Sequence, residues 1–154
     1  MKIIGGNFKK ISIKKYKEIT HPIKINTNIE IKDVRKTELD LFKGKDLFTF
    51  DYLFRIVYEP DFAEIEFDGG LLVLIEDPAI LKEVIKEWKN KQVPEDIKFV
   101  LMNIIFGKCN LKALQLEEDL GLPAHLPSPK ITKPEQQGAS EGENKSKGKA
   151  GYIN

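Results

Sequence analysis

A chain of 154 residues with 41% hydrophobic content is long enough to bury a real core, and its length argues for one domain rather than two. Charged residues make up 32% of it but nearly cancel, to a formal net charge of +1, so no global field steers the protein to nucleic acid or to an anionic membrane and a charged partner must meet a local patch. One cysteine, Cys109, excludes an internal disulfide framework and is expected to pack in the core.

The opening MKIIGGNFKK is too short in its apolar part for a signal peptide, and no later run approaches a membrane span, so a cytoplasmic protein without membrane insertion is expected. The first strand is expected over Phe8 to Ile19. The second, Ile23 to Arg35, alternates cleanly, with Ile23, Ile25, Thr27, Ile29 and Ile31 on one face and Lys24, Asn26, Asn28, Glu30 and Lys32 on the other, as in a sheet with one wet side. Lys43-Gly44-Lys45-Asp46 predicts a turn before a third strand, LFTFDYLFRIVYE, with Phe48, Phe50, Tyr52, Phe54, Ile56 and Tyr58 on one side.

Asp61 to Glu76 poses a choice at Gly69-Gly70. Asp-Gly and Gly-Gly pairs supply the φ > 0 positions of a two-residue hairpin loop, and local turn chemistry favours that reading. The other reading is a bulge or bend within one long strand.

From Pro78 the apolar period becomes helical. Ile80, Leu81, Val84, Ile85 and Trp88 share a face, and Asp77-Pro78 supplies a cap and a first-turn proline. A second helix is expected from Pro94, with Glu95 and Asp96 in its first turn, to Leu120-Gly121, unless Gly107 or Asn110 divides it. Its first half is apolar nearly all round, which a sheet on one side does not explain. A second subunit is therefore expected to cover Ile97, Leu101, Ile104 and Ile105. Glu117-Glu118-Asp119 reads as a solvated helix face. LPAHLPSPKI follows as an extended segment, and 133–154, rich in Gly, Ser, Lys and Glu, is expected to be a disordered tail.

Catalytic patterns are missing: no HExxH, CxxC, GxSxG, P-loop or GxGxxG, and only two histidines, His21 and His125, both in Pro-containing connections. Neither an enzymatic activity, a cofactor nor a metal is expected. A nucleic-acid-binding module is the alternative. FKKISIKKYK interleaves five lysines with Phe8 and Tyr16, although lysines also serve to protect an exposed strand edge.

In this order of elements, several short motifs resemble the SecB family of protein-export chaperones. Phe8-Lys9-Lys10-Ile11-Ser12-Ile13 resembles the family's first strand, Leu53-Phe54-Arg55-Ile56-Val57 its third, and Phe67-Asp68-Gly69-Gly70-Leu71-Leu72 its fourth. Leu120-Gly121-Leu122-Pro123 with Leu126-Pro127 resembles the segment after its long helix. The resemblance, over Phe8 to Ile131, implies an α+β fold: a four-stranded antiparallel sheet followed by a short and a long helix on one face, in a domain spanning 1–132. It also implies a fourth strand bent at Gly69 and Gly70 rather than a hairpin, and a homo-oligomer, a dimer or a dimer of dimers. The implied function is a non-enzymatic holdase for unfolded client polypeptides. Phe54, Phe62, Trp88, Leu122 and Leu126 are the candidate groove residues, although the burial habit of large apolar side chains favours the core for each one taken singly, and an export motor is a further partner the resemblance implies. The family's usual bacterial members end in an acidic tail, whereas Lys145, Lys147 and Lys149 make this end basic, a departure that bears on motor docking.

Overall fold

The computed structural model describes residues 1–127 and 129–131. The segment 133–154, expected to be a disordered tail, lies outside the described residues. Four strands form one antiparallel sheet: β1 (Lys2–Lys15), β2 (Lys24–Thr37), β3 (Leu47–Glu59) and β4 (Ala63–Leu74), in the order β1-β4-β3-β2. Two helices follow, α1 (Pro78–Trp88) and α2 (Glu95–Leu120). The expected α+β class is the observed one.

Alternation sets the two faces of the sheet. Phe48, Phe50, Tyr52, Phe54, Ile56 and Tyr58 of β3 point inward, as do Ile65, Phe67, Leu71 and Val73 of β4, and all are buried. At about 1.5–3 kcal/mol for each large apolar side chain removed from water, this face supplies most of the drive to fold. α2 covers it with a stripe at four-residue spacing, Ile97, Leu101, Ile105, Cys109, Ala113 and Glu117. Burial pushes the Cys109 thiol up to about 11, consistent with a core residue rather than a reactive one.

The outer face is a lattice of ion pairs. Asp51 receives Lys9 at 2.6 Å and Arg35 at 3.1 Å, Arg55 holds Glu64 at 2.9 Å and Glu66 at 2.8 Å, and Lys32 meets Asp68 at 3.0 Å. Partial burial pushes the Asp51 carboxyl up, but the hydrogen bonds from Arg35 and Lys9 more than offset it and leave Asp51 below its ordinary range.

β4 is one strand, not a hairpin. Its pairing with β3 runs unbroken from Leu47 opposite Leu74 to Tyr58 opposite Ala63, so Phe67 and Leu71 lie on the same strand. The turn chemistry of Asp68-Gly69-Gly70 is overridden by what crosses it. A Cβ on Gly69 would sit 2.5 Å from the Tyr52 Oη and 2.7 Å from the Asn7 carbonyl, and one on Gly70 2.9 Å from Asp51 Oδ1. The glycines clear space for a neighbouring tyrosine and for the backbone of β1. The register shifts are on β1, between Ile3 and Gly5 and between Phe8 and Lys10, the second facing Gly69. Bulges of this kind add local twist.

β1 also differs from expectation. It begins at Lys2 and ends at Lys15, instead of spanning Phe8 to Ile19. Gly5-Gly6 does not interrupt it, because Gly6 lies opposite Leu71, whose side chain occupies the space a Cβ would need. After Lys15 the Tyr16 amide turns to the Phe62 carbonyl at 2.8 Å and the ladder stops.

The helix ends follow their residues. Asp77 accepts from the Ala79 amide at 2.8 Å with Pro78 in the first turn of α1. α2 runs through Gly107 and Asn110 without a break and closes at Gly121, whose φ of 64° lets the Leu122 amide return to the Glu117 carbonyl at 2.8 Å.

Candidate binding groove

At the β2 edge of the sheet the helices leave an opening. A cleft of about 870 Å³ lies between β2, α1, the Lys91–Pro94 connection and the first turns of α2. Its apolar lining comes from Ile29 and Ile31 on β2, Ile80 and Trp88 on α1, Val93 and Pro94 in the connection, and Ile97 and Met102 on α2. β2 pairs with β3 on one side only, so its other backbone edge is free of the sheet at the rim of this cleft. Lys91, in a left-handed conformation at φ 60°, folds back so that its ammonium lies 4.7 Å from the centre of the Trp88 ring.

Carboxylates dominate the polar part of the lining: Glu30, Glu83, Glu87, Glu95 and Asp96. Lys91 and Lys98 oppose them. The cleft thus combines apolar side chains with a surplus of carboxylates, a combination suited to an extended segment carrying aromatic or aliphatic side chains with basic neighbours.

Of the five residues expected to line a groove, Trp88 alone lies in this cleft. Phe54 is fully buried beneath it, stacked on Phe67 with ring centres 5.7 Å apart. Phe62 is 4% exposed, under the Lys17 ammonium. Leu122 packs into the core behind the α2 terminus, and Leu126 is half-buried at that same far end. The residues expected at a subunit interface are placed as follows. Leu101 and Ile105 are buried in the chain's own core, Ile97 is 6% exposed between that core and the cleft, and Ile104 is half-buried. The helix is apolar all round, but its free surface is the opposite side, where Phe99 is 72% and Leu111 66% exposed, with Val100, Phe106 and Leu114 between them.

The C-terminal end of α2 holds a buried polar network. Glu117, read above as part of a solvated face, accepts from the Tyr58 hydroxyl at 2.8 Å and meets His125 Nδ1 at 2.6 Å. His125 Nε2 lies 2.8 Å from Asn110 Oδ1, and the Tyr58 hydroxyl also reaches the Pro123 carbonyl at 2.9 Å. Burial, reinforced by the Glu117 carboxylate, raises the Tyr58 hydroxyl well beyond its ordinary range. With side-chain exposures of 0% for His125 and 2% for Glu117, the pair is out of reach of any substrate and serves to fasten the Leu122–Leu126 segment to the helix. The sequence held a signal for it: Glu117 continues the four-residue stripe from Ile97, which places it on the buried side.

The basic first strand spends part of its charge and one of its aromatic rings within the chain. Lys9 and Lys10 are taken up by Asp51 and Glu66, Lys15 by Glu18, and the Phe8 ring packs on Phe67 at 5.3 Å with the Lys108 ammonium over it. Lys108 also donates to the Gly6 carbonyl, tying α2 to β1. No helix among the described residues is long and apolar enough to cross a membrane.

No protein-family model matches the chain, and no curated protein sequence does. Among solved structures, the fold is similar to that of Rv1957 of Mycobacterium tuberculosis, a SecB-like chaperone in complex with a ChAD peptide from the Rv1956 HigA1 antitoxin. The TM-score is 0.51 at 14% identity, over 86% of this chain and 91% of that one. The architecture is therefore that of a distant SecB-like fold.

Proposed function

We propose that the protein is a non-enzymatic holdase that captures unfolded polypeptide in the Trp88 cleft. The observation that carries this reading is the coincidence of an open cleft, lined by both apolar and acidic side chains, with a strand edge that has no partner strand among the described residues. A client lying along β2 gains main-chain hydrogen bonds from the strand and inserts alternate side chains between Trp88, Val93 and Met102. The solved SecB-like neighbour, in complex with a peptide of an antitoxin, supports polypeptide as the ligand class. Export precursors and antitoxin-like regulators are both clients of the required chemistry, with delivery to an export motor as one possible fate.

The working unit in this proposal is a cytoplasmic homo-oligomer. Phe99, Val100, Phe106 and Leu111 form an apolar face that a monomer leaves in water, and a second copy of the same face is a self-complementary cover for it. Phe99→Asp together with Leu111→Asp should give monomers in sedimentation while preserving far-UV circular dichroism. A wild-type monomer at micromolar concentration would remove the oligomer from the proposal.

Light scattering of a chemically unfolded client, without nucleotide, tests the holdase itself. Suppression by the wild type and its loss in a folded Trp88→Ala variant is the expected result. Failure of the folded wild type to suppress aggregation of several clients would reject the chaperone function.

A further inference from the structure

We infer that the chain's own C-terminal segment, Lys145-Ser-Lys-Gly-Lys-Ala-Gly-Tyr-Ile-Asn154, docks in the Trp88 cleft and competes there with client. This rests on the reading of the cleft as a peptide-binding groove and names a resident occupant for it. The argument is one of complementarity. The rim carries Glu30, Glu83, Glu87, Glu95 and Asp96 against Lys91 and Lys98, a surplus of negative charge on a protein whose overall charge is only +1. On the outer face of the sheet, at Asp51, Glu64, Glu66 and Asp68, carboxylates are taken up by cations within the chain, whereas the five at the cleft gather beside apolar side chains with no ion pair among the described residues. The rim surplus is where a cationic segment fits.

The final residues supply that segment. Lys145, Lys147 and Lys149 alternate with small residues, and Tyr152-Ile153 follows as an aromatic-aliphatic pair suited to the apolar side chains of the cleft. The intervening stretch from Pro134 to Asn144, by contrast, holds no large apolar residue. A run of polar and small residues thus separates the domain from a short motif of opposite charge to the rim.

Reach is sufficient. Residues 132–144, extended, span about 45 Å, which exceeds the roughly 36 Å diameter of a sphere with the radius of gyration expected for 131 residues. A tether of this length gives an effective concentration of about 1 mM, so a segment with a free-peptide Kd of about 1 mM occupies the cleft half of the time, and one of about 0.1 mM some nine-tenths of the time. Apparent client affinity then falls about two- to tenfold below the intrinsic value.

Trp88 is the chain's only tryptophan, so its emission reports this cleft directly. The test uses the full-length protein and a variant with Lys145→Glu, Lys147→Glu, Lys149→Glu and Tyr152→Ala, with reduced, unfolded α-lactalbumin as the client. The variant should show red-shifted Trp88 emission and bind the client about two- to tenfold more tightly, and 1 M salt should shift the wild-type emission the same way while leaving the variant unchanged. Adding Glu83→Lys and Glu87→Lys to a chain carrying only the three lysine reversals should restore the wild-type emission.

Identical emission and identical client affinity in wild type and variant, with the client itself shifting Trp88, would overturn tail docking and leave the groove standing. A tail-dependent emission change with a client that binds elsewhere and leaves Trp88 undisturbed would support tail docking and reject the groove as the client site.

Discussion

The two ends of α2 solve opposite problems. At its C-terminal end Glu117, His125, Tyr58 and Asn110 satisfy one another, and the chain that follows is held down by that network. At its N-terminal end Val93, Met102 and Trp88 meet only part of an apolar surface, and the carboxylates around them have few cations to answer. A fully partnered polar cluster specifies one arrangement; an incompletely covered apolar trough leaves something to be bound. The difference separates fastening from function along a single helix.

The largest expected effect comes from breaking the fastened end. Glu117→Ala leaves His125 Nδ1 without its acceptor and the Tyr58 hydroxyl with the Pro123 carbonyl alone, in a site closed to water, and should cost about 3–5 kcal/mol in urea denaturation, as removal of one member of a buried pair does. A loss below about 1 kcal/mol would show that the network is incidental to the fold.

At the open end the expected loss is of binding rather than stability. Trp88→Ala should weaken client capture about tenfold, equivalent to about 1.4 kcal/mol, because a half-exposed aromatic at the centre of a groove is the type of residue on which binding energy concentrates. Phe54→Ala is the contrasting change. That ring is sealed in the core, so its removal should cost about 3–5 kcal/mol of folding free energy. Titration of client against each folded variant, beside its denaturation curve, separates the two; a Trp88 variant that binds normally would place the client elsewhere.

How much of this was legible beforehand depends on the kind of interaction. The alternation of β3 and the switch of period at Pro78 are local, and those elements lie where the residues put them. The Gly69-Gly70 pair misled local reasoning, since a glycine doublet after aspartate is good turn chemistry. Its actual role depends on Tyr52, far away in sequence but adjacent in the sheet. Groove and core were hard to separate for a related reason. Large apolar residues are common to cores and binding surfaces, and only the placement of α2 over β3 and β4 decides that Phe54 is covered while Ile29 and Ile31, on the edge strand, are not. Glu117 was recoverable, since its phase on the helix outranks its acidic neighbours, but its partners Tyr58 and His125 converge on it only once the segment after Gly121 doubles back.

The smallest expected effect sharpens the boundary between the two ends. Leu126 and Leu122 occupy the same short segment and were expected to share a groove, yet Leu122 is 7% exposed and belongs to the core, whereas Leu126 is half-buried and stands outside it. Neither lines the Trp88 cleft. Leu126→Asp keeps its new carboxylate in contact with water and leaves the backbone amide of His125 bonded to Glu117, so it should cost no more than about 1 kcal/mol of stability. Client affinity should be unchanged within about twofold, because the substitution lies beyond the lining of the groove. The measurement is client titration by Trp88 fluorescence, with sizing of the variant to establish that assembly is intact. If Leu126→Asp abolished capture in a correctly assembled protein, the groove would have to extend the length of α2, and the division of the helix into a fastened end and a binding end would be lost.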